Sequence, residues 1–191
     1  MTIHELIVLR RTVRQFQPRP IERALLERLV DAGRLAPSAA NMQPLEFYVV
    51  DDPALRAKVF PCLKWAAYIQ PEGNPKAGQE PMAYVFVLVN TKIREKMAEY
   101  DVGAAMENIC LSALSEGVGS CWLISIDRPK IAEALGIPEG YRIDSVVALG
   151  YPAETSTVEE FKDSQRYWKD EAGGFHVPKR KRADVMHVNK F

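Results

Sequence analysis

Cysteine is scarce in this 191-residue chain, and the three present stand apart at Cys62, Cys110 and Cys121. An odd count with no C-x-x-C pair offers neither a disulfide framework nor a thiolate zinc site. Buried thiols packing as small apolar groups is the plainer reading. Histidine is as sparse, at His4, His176 and His187, with no H-E-x-x-H spacing, so a metal centre has little to draw on. No apolar run approaches the roughly 20 residues of a membrane-spanning helix. Residues 1–14 lack a signal-peptide layout, their short apolar stretch being broken by His4 and Glu5. The expectation is a cytoplasmic protein without a membrane partner. Net charge is missing too: 25 Lys and Arg balance 25 Asp and Glu, so no bulk attraction to nucleic acid is expected. Several phosphate and hydrolase signatures are absent. There is no Walker loop and no G-x-S-x-G elbow. Gly117-Val118-Gly119 lacks the third glycine of a dinucleotide fingerprint and leads from helix to strand, the reverse of the required order.

What is present reads as one globular domain, since 47% hydrophobic and 26% charged residues exclude a disordered or fibrous chain. Thr2 and Glu5 form a capping box opening a short helix to about Leu9. Pro20 suits the first position of a second helix, whose Ile21, Leu25, Leu29 and Gly33 recur every fourth residue. It should stop before Pro37. Residues 45–50 read as a strand, and a short helix follows to about residue 60. Residues 61–80 read as a loop long enough to be functional. Residues 83–90 form an almost continuous apolar run, as in a strand buried on both faces. Residues 101–116 carry the clearest helical rhythm and end at Gly117. Strands are expected over 120–126 and 145–149, with a short helix between. Residues 151–178 read as polar and irregular. Tyr167, Trp168 and Phe175 nevertheless argue for docking, because disordered tails are poor in aromatics. Residues 185–188 could add a strand to a sheet edge. The fold class expected is α+β, a mixed sheet flanked by helices.

Two patches invite a functional reading. In Arg10-Arg11-Thr12-Val13-Arg14, alternating arginines in an extended segment can point one way, giving fork-shaped donors and a hydroxyl for phosphate or polyol oxygens. Three solvated arginines are the bland alternative. In residues 36–44, small residues let a flat ring approach the backbone, while Asn41 and Gln43 can donate and accept. An ordinary helix-to-strand loop is the alternative there. A second basic cluster, Lys179 to Arg182, lies near the C-terminus.

Six segments together resemble the nitroreductase-like flavoproteins, in family order. Arg10-Arg11-Thr12-Val13-Arg14-Gln15-Phe16 is similar to R-R-S-x-R-x-F, and Ala36 to Pro44 to A-P-S-x-x-N-x-Q-P-W. Asp101 to Asn108 resembles D-x-G-x-A-x-Q-N, and Gly117 to Trp122 resembles G-L-G-S-C-W. Ala148-Leu149-Gly150-Tyr151-Pro152 resembles A-L-G-Y-P, and Pro178-Lys179-Arg180 the terminal P-K-R. Thr12 stands for the usual serine, Leu45 for tryptophan and Glu107 for glutamine.

The resemblance implies one nitroreductase-like FMN-binding domain over residues 1–191. It also implies a homodimer in which residues 151–191 form an arm exchanged onto the partner. Arg10, Arg11, Thr12, Lys179 and Arg180 would hold the phosphate and ribityl chain. Arg14 would lie at the pyrimidine edge and tune the flavin. Pro37, Ser38, Asn41 and Gln43 would come from the other subunit. Backbone at Leu123, Ile124 and Ser125 would face the ring. The activity implied is ping-pong transfer from NAD(P)H to a nitroaromatic, quinone or similar small acceptor, with no catalytic side chain required. A specialised reductive flavoenzyme of the same fold, or a flavin-binding regulatory protein without efficient turnover, are the alternatives.

Overall fold

Capping chemistry sets most of the helix starts. The computed structural model describes residues 1–190; Phe191, the last residue of the expected arm, lies outside them. Helix α1 (Ile3–Leu9) opens with the Thr2–Glu5 capping box formed in both directions. Helix α3 (Pro53–Val59) starts where Asp52 accepts from the Leu55 N–H, and α5 (Arg128–Leu135) where Asp127 accepts from Lys130. Helix α2 (Arg23–Arg34) begins three residues later than Pro20 would place it, because Glu22, at φ −58° and ψ 134°, is still non-helical. It still buries Leu25, Leu29 and Gly33, as its spacing requires. Helix α4 (Glu99–Ser115) is the central helix.

Four strands, β1 (Leu45–Val50), β2 (Ala83–Asn90), β3 (Gly119–Leu123) and β4 (Tyr141–Gly150), form a sheet in the order β1-β2-β4-β3. Strand β2 is buried on both faces, and its side chains alternate between two cores. Val85, Val87 and Val89 pack with Leu26 and Leu29 of α2 and Met106 and Ile109 of α4. Tyr84, Phe86 and Leu88 pack with Val59, Ile131 and Leu135 on the α3–α5 side. Each of these fully buried side chains contributes about 1.5–3 kcal/mol through removal of apolar surface from water. The α+β sandwich expected from sequence is therefore present. Its central pairings are antiparallel; the parallel component lies in the Thr12–Ser120 bridge and in the arm.

The stretch expected to be irregular contains three short strands. Strands β5 (Ser156–Glu160), β6 (Trp168–Lys169) and β7 (Phe175–Lys179) form a second sheet in the order β5-β7-β6. Cross-strand contacts, invisible to local polarity, explain the difference. Trp168 stacks on His176 at 4.0 Å and donates to Glu159, while His176 Nε2 meets Asp170 at 3.0 Å. This sheet packs on its own chain, with Phe175 only 1% exposed. The strand expected at 185–188 is not formed. A 3-10 turn at Arg182–Asp184 precedes an exposed tail bearing Val185, Met186 and Val188. No helix of the described residues is long and apolar enough to cross a membrane.

Candidate functional site

After α1 the chain turns across the ends of β3 and β4. Val13 N–H donates to the Ser120 carbonyl at 2.9 Å, Thr12 bridges Ser120, and Phe16 bridges Pro152. This crossing needs glycine beneath it. A Cβ on Gly119 would sit 2.9 Å from Val13, and one on Gly150 would sit 2.6 Å from Phe16. The glycines of the G-V-G-S and A-L-G-Y segments thus lay the arginine segment along the sheet end.

The three arginines differ in what they do. Arg10 pairs with Glu107 on α4 at 3.1 Å. Arg11 donates to the carbonyls of Arg10 and Val8, closing the C-terminus of α1. Burial, then the neighbouring Arg10 charge, lowers its pKa. Arg14 is the unusual one. Its backbone N–H donates to Glu154 at 2.5 Å, yet its guanidinium has no hydrogen-bond or ion-pair partner among the described residues, and its Nε is buried. Two aromatic rings lie against it, Tyr167 at 4.9 Å and Phe175 at 5.1 Å.

Gln15, 3% exposed, ties this segment to the 61–80 loop. Its Nε2 donates to the Asn74 carbonyl at 2.7 Å, and its Oε1 accepts from the Lys76 N–H at 2.9 Å. Asn74 in turn presents a buried side-chain carbonyl, Oδ1, with no donor. It lines a pocket of about 460 Å³ with Lys64, Trp65, Gln70 and Ser125. The pocket lies beside the end of β3, where Lys64 N–H donates to the Ser125 carbonyl at 3.0 Å and Leu63 bridges Ile126. Leu123 is buried, while Ile124 and Ser125 are exposed.

The Pro37–Gln43 loop forms a second group. Ala40, Asn41 and Gln43 hold positive φ values of 53°, 55° and 50°, a costly conformation for residues other than glycine. Three contacts hold it: Ser38 Oγ accepts from Gln43 N–H at 3.1 Å, Gln43 Nε2 donates to the Asn41 carbonyl at 3.2 Å, and Ala39 N–H donates to Asp101 at 3.1 Å. Asp101 is 3% exposed and pairs with Arg94 at 3.3 Å. The loop is thereby fixed at the start of α4, about 9 Å along the axis from the Glu107 that holds Arg10. Its Asn41 and Gln43 side chains face outward.

The terminal cations stand apart from both groups within one chain. Lys179 and Arg180 are exposed, Arg180 donates to the Asp184 carbonyl, and Lys181 pairs with Glu160 at 3.0 Å. Thiol chemistry has no support: burial pushes Cys121 up to about 12 and also raises Cys110 and Cys62. Sequence reasoning passed over Gln15, Asn74, Asp101 and Glu154. The proline- and glycine-rich 61–80 loop signalled function but not which residue, and a buried carboxylate such as Asp101 looks like any helix-start acid until its partner is seen.

Residues 7–151 match the nitroreductase family. A protein of Archaeoglobus fulgidus, provisionally named an NADH dehydrogenase/NAD(P)H nitroreductase, is 34% identical over 166 residues, 83% of this chain and 90% of that one. A 5,6-dimethylbenzimidazole synthase of Rhodospirillum rubrum is 26% identical, over 80% of this chain and 83% of its own. The crystal structure of a nitroreductase with bound FMN from Bacteroides fragilis superimposes with a TM-score of 0.65 at 26% identity, covering 86% of this chain and 95% of that one.

Proposed function

Because the chain belongs to the nitroreductase family, we propose that it is an FMN-dependent NAD(P)H oxidoreductase acting on a nitroaromatic, quinone or similar small acceptor. One observation carries the reading. Gln15, next in the chain to Arg14, whose guanidinium has no acceptor, grips the backbone of Asn74, whose side-chain carbonyl has no donor and lines a pocket at the sheet end. Their unmet hydrogen bonds are complementary to the carbonyl and imide N–H of a flavin pyrimidine ring. The residues present therefore fit the cofactor. Arg10 and Thr12 offer donors for its phosphate and ribityl chain, with Arg11 less free because its forks already bind backbone. Lys179 and Arg180 would complete the phosphate site, and residues 123–125 would face the ring.

When bound, FMN supplies two-electron transfer, accepting a hydride from NAD(P)H and passing the electrons to the acceptor. The chain's part is to orient, dry and bias that exchange. Arg14 places a fixed positive charge where negative charge grows on reduction. Asn74 fixes the imide edge. The Leu63–Asn74 loop lines the pocket, and no side chain needs to act as a nucleophile.

A second subunit would complete the site. Helix α1 is apolar at five of its seven positions, yet only Leu6 is buried, and Ile3, Ile7, Val8 and Leu9 are more than half exposed. Leu35, Met42 and Tyr100 are exposed as well. An apolar surface of this kind marks an interface. In this reading a partner covers α1, and Pro37, Ser38, Asn41 and Gln43 serve the partner's cofactor. Residues 1–191 would form one domain, of which the exposed segment 180–190 would reach across.

The purified protein should be yellow and release FMN, not FAD, on denaturation. It should oxidise NADH or NADPH when given a quinone. A colourless protein that cannot be reconstituted with FMN would overturn the reading. A yellow protein inert to both nucleotides would favour a flavin-binding role without turnover, and one active only on an unusual acceptor would favour a specialised reductive enzyme.

A further inference from the structure

Arg14 is held in an unusual way. Its side chain meets no carboxylate and no carbonyl among the described residues. Glu154, which accepts from the Arg14 backbone N–H, has 4% of its side chain exposed and pairs with Lys169 Nζ at 3.4 Å. Arg14's guanidinium is thus left without a direct ion pair among the described residues. What holds it are two ring faces, Tyr167 just before β6 and Phe175 on β7, with the guanidinium carbon 4.9 Å and 5.1 Å from their centroids. These rings lie 6.1 Å apart and belong to a longer chain of contacts. Tyr68 of the pocket-bearing loop lies 5.1 Å from Tyr167, and Lys169 Nζ lies 4.4 Å from Phe175.

The chemistry of this arrangement differs from a salt bridge. A carboxylate would hold the guanidinium by its in-plane N–H groups and neutralise it. A ring face attracts the cation through its quadrupole, above the plane, and leaves the five donors and the full charge available. We propose that Tyr167 and Phe175 are positioning residues for Arg14, so that the second sheet sets the electron affinity of the bound flavin without touching it. This rests on the reading above that Arg14 meets the flavin. It gives residues 156–179 a task on their own chain, distinct from any contact beyond residue 180.

The test is a set of midpoint potentials and FMN dissociation constants for the purified holoprotein and for Arg14→Ala, Tyr167→Leu, Tyr167→Phe and the Arg14→Ala/Tyr167→Leu double variant. Tyr167 is half-buried at the margin of the α3–α5 core, where leucine keeps an apolar contact, while Phe175 is fully buried. Tyr167→Leu should shift the potential down, lowering the preference for reduced over oxidised FMN by roughly two- to fivefold, the scale of one cation–π contact. Tyr167→Phe keeps the ring and should restore the wild-type value. The leucine substitution should add nothing once Arg14 is gone. A shifted Arg14→Ala beside an unshifted Tyr167→Leu overturns the inference alone. An unshifted Arg14→Ala overturns the placement of Arg14 and the inference with it. Equal shifts from Tyr167→Leu with and without Arg14 show that the ring acts by another route, and also overturn it.

Discussion

A guanidinium against two ring faces, at Arg14, and an amide carbonyl without a donor, at Asn74, are two unmet demands linked through Gln15. Removing Arg14 should reveal which part of the ligand it meets. If it faces the pyrimidine edge, Arg14→Ala removes a charge-assisted contact of about 1.5–3 kcal/mol, which for a two-electron couple is a fall of about 30–60 mV in midpoint potential. An unchanged potential with lost FMN would put Arg14 on the phosphate instead. Asp101 presents a purely structural case. Asp101→Ala leaves the Ala39 N–H without its acceptor and Arg94 without its carboxylate, at a cost of about 3 kcal/mol. Asp101→Asn retains an acceptor for Ala39 and should cost less. Urea denaturation at matched m-values measures both, and equal stability of all three proteins would show that the strained 37–43 loop needs no anchor.

At the scale of elements, the second sheet is the least expected feature, and one of its contacts depends on an ionised carboxylate. His176's hydrogen bond, then the Gly174 N–H, holds the Asp170 carboxyl below the usual carboxylate range. A depressed carboxyl stabilises the fold above its unfolded value near 3.9 and loses that contribution as pH falls through the folded value. The Trp168–His176 stack should therefore loosen below about pH 4, read by Trp168 fluorescence. Asp170→Asn should abolish that acid transition. A transition unchanged in the variant would assign it to another carboxylate. This sheet was hidden in the sequence because β6 is only two residues long and its partners lie 6 to 9 residues away, as in His176–Asp170 and Trp168–Glu159. The central elements were legible for the opposite reason. Strand β2 is apolar along its length, α4 keeps its rhythm for over four turns, and Asp52, Asp127 and the Thr2–Glu5 pair announce helix starts. Of the site, the arginine segment and the 36–44 loop could be read from residue types. Gln15's grip on Asn74 spans 59 positions and has no local signature.

For the whole molecule, α4 ties both candidate groups to one scaffold, the arginine segment through Glu107 and the 37–43 loop through Asp101, while α1 still shows its apolar face. Cofactor binding and assembly would form one equilibrium, since a ligand that binds only the dimer stabilises it. Deleting residues 180–191 should weaken FMN retention and association together while leaving the arm sheet folded. The central claim, an FMN site completed by a second copy of the chain, is tested most directly by sedimentation velocity. Protein and flavin absorbance would be recorded together for the wild type and for Ile7→Glu on the exposed face of α1. The account predicts that wild-type flavin sediments with a dimer, and that Ile7→Glu gives a folded monomer which has lost its flavin. A wild-type monomer carrying a full complement of FMN, or an Ile7→Glu monomer that keeps it, would contradict the account.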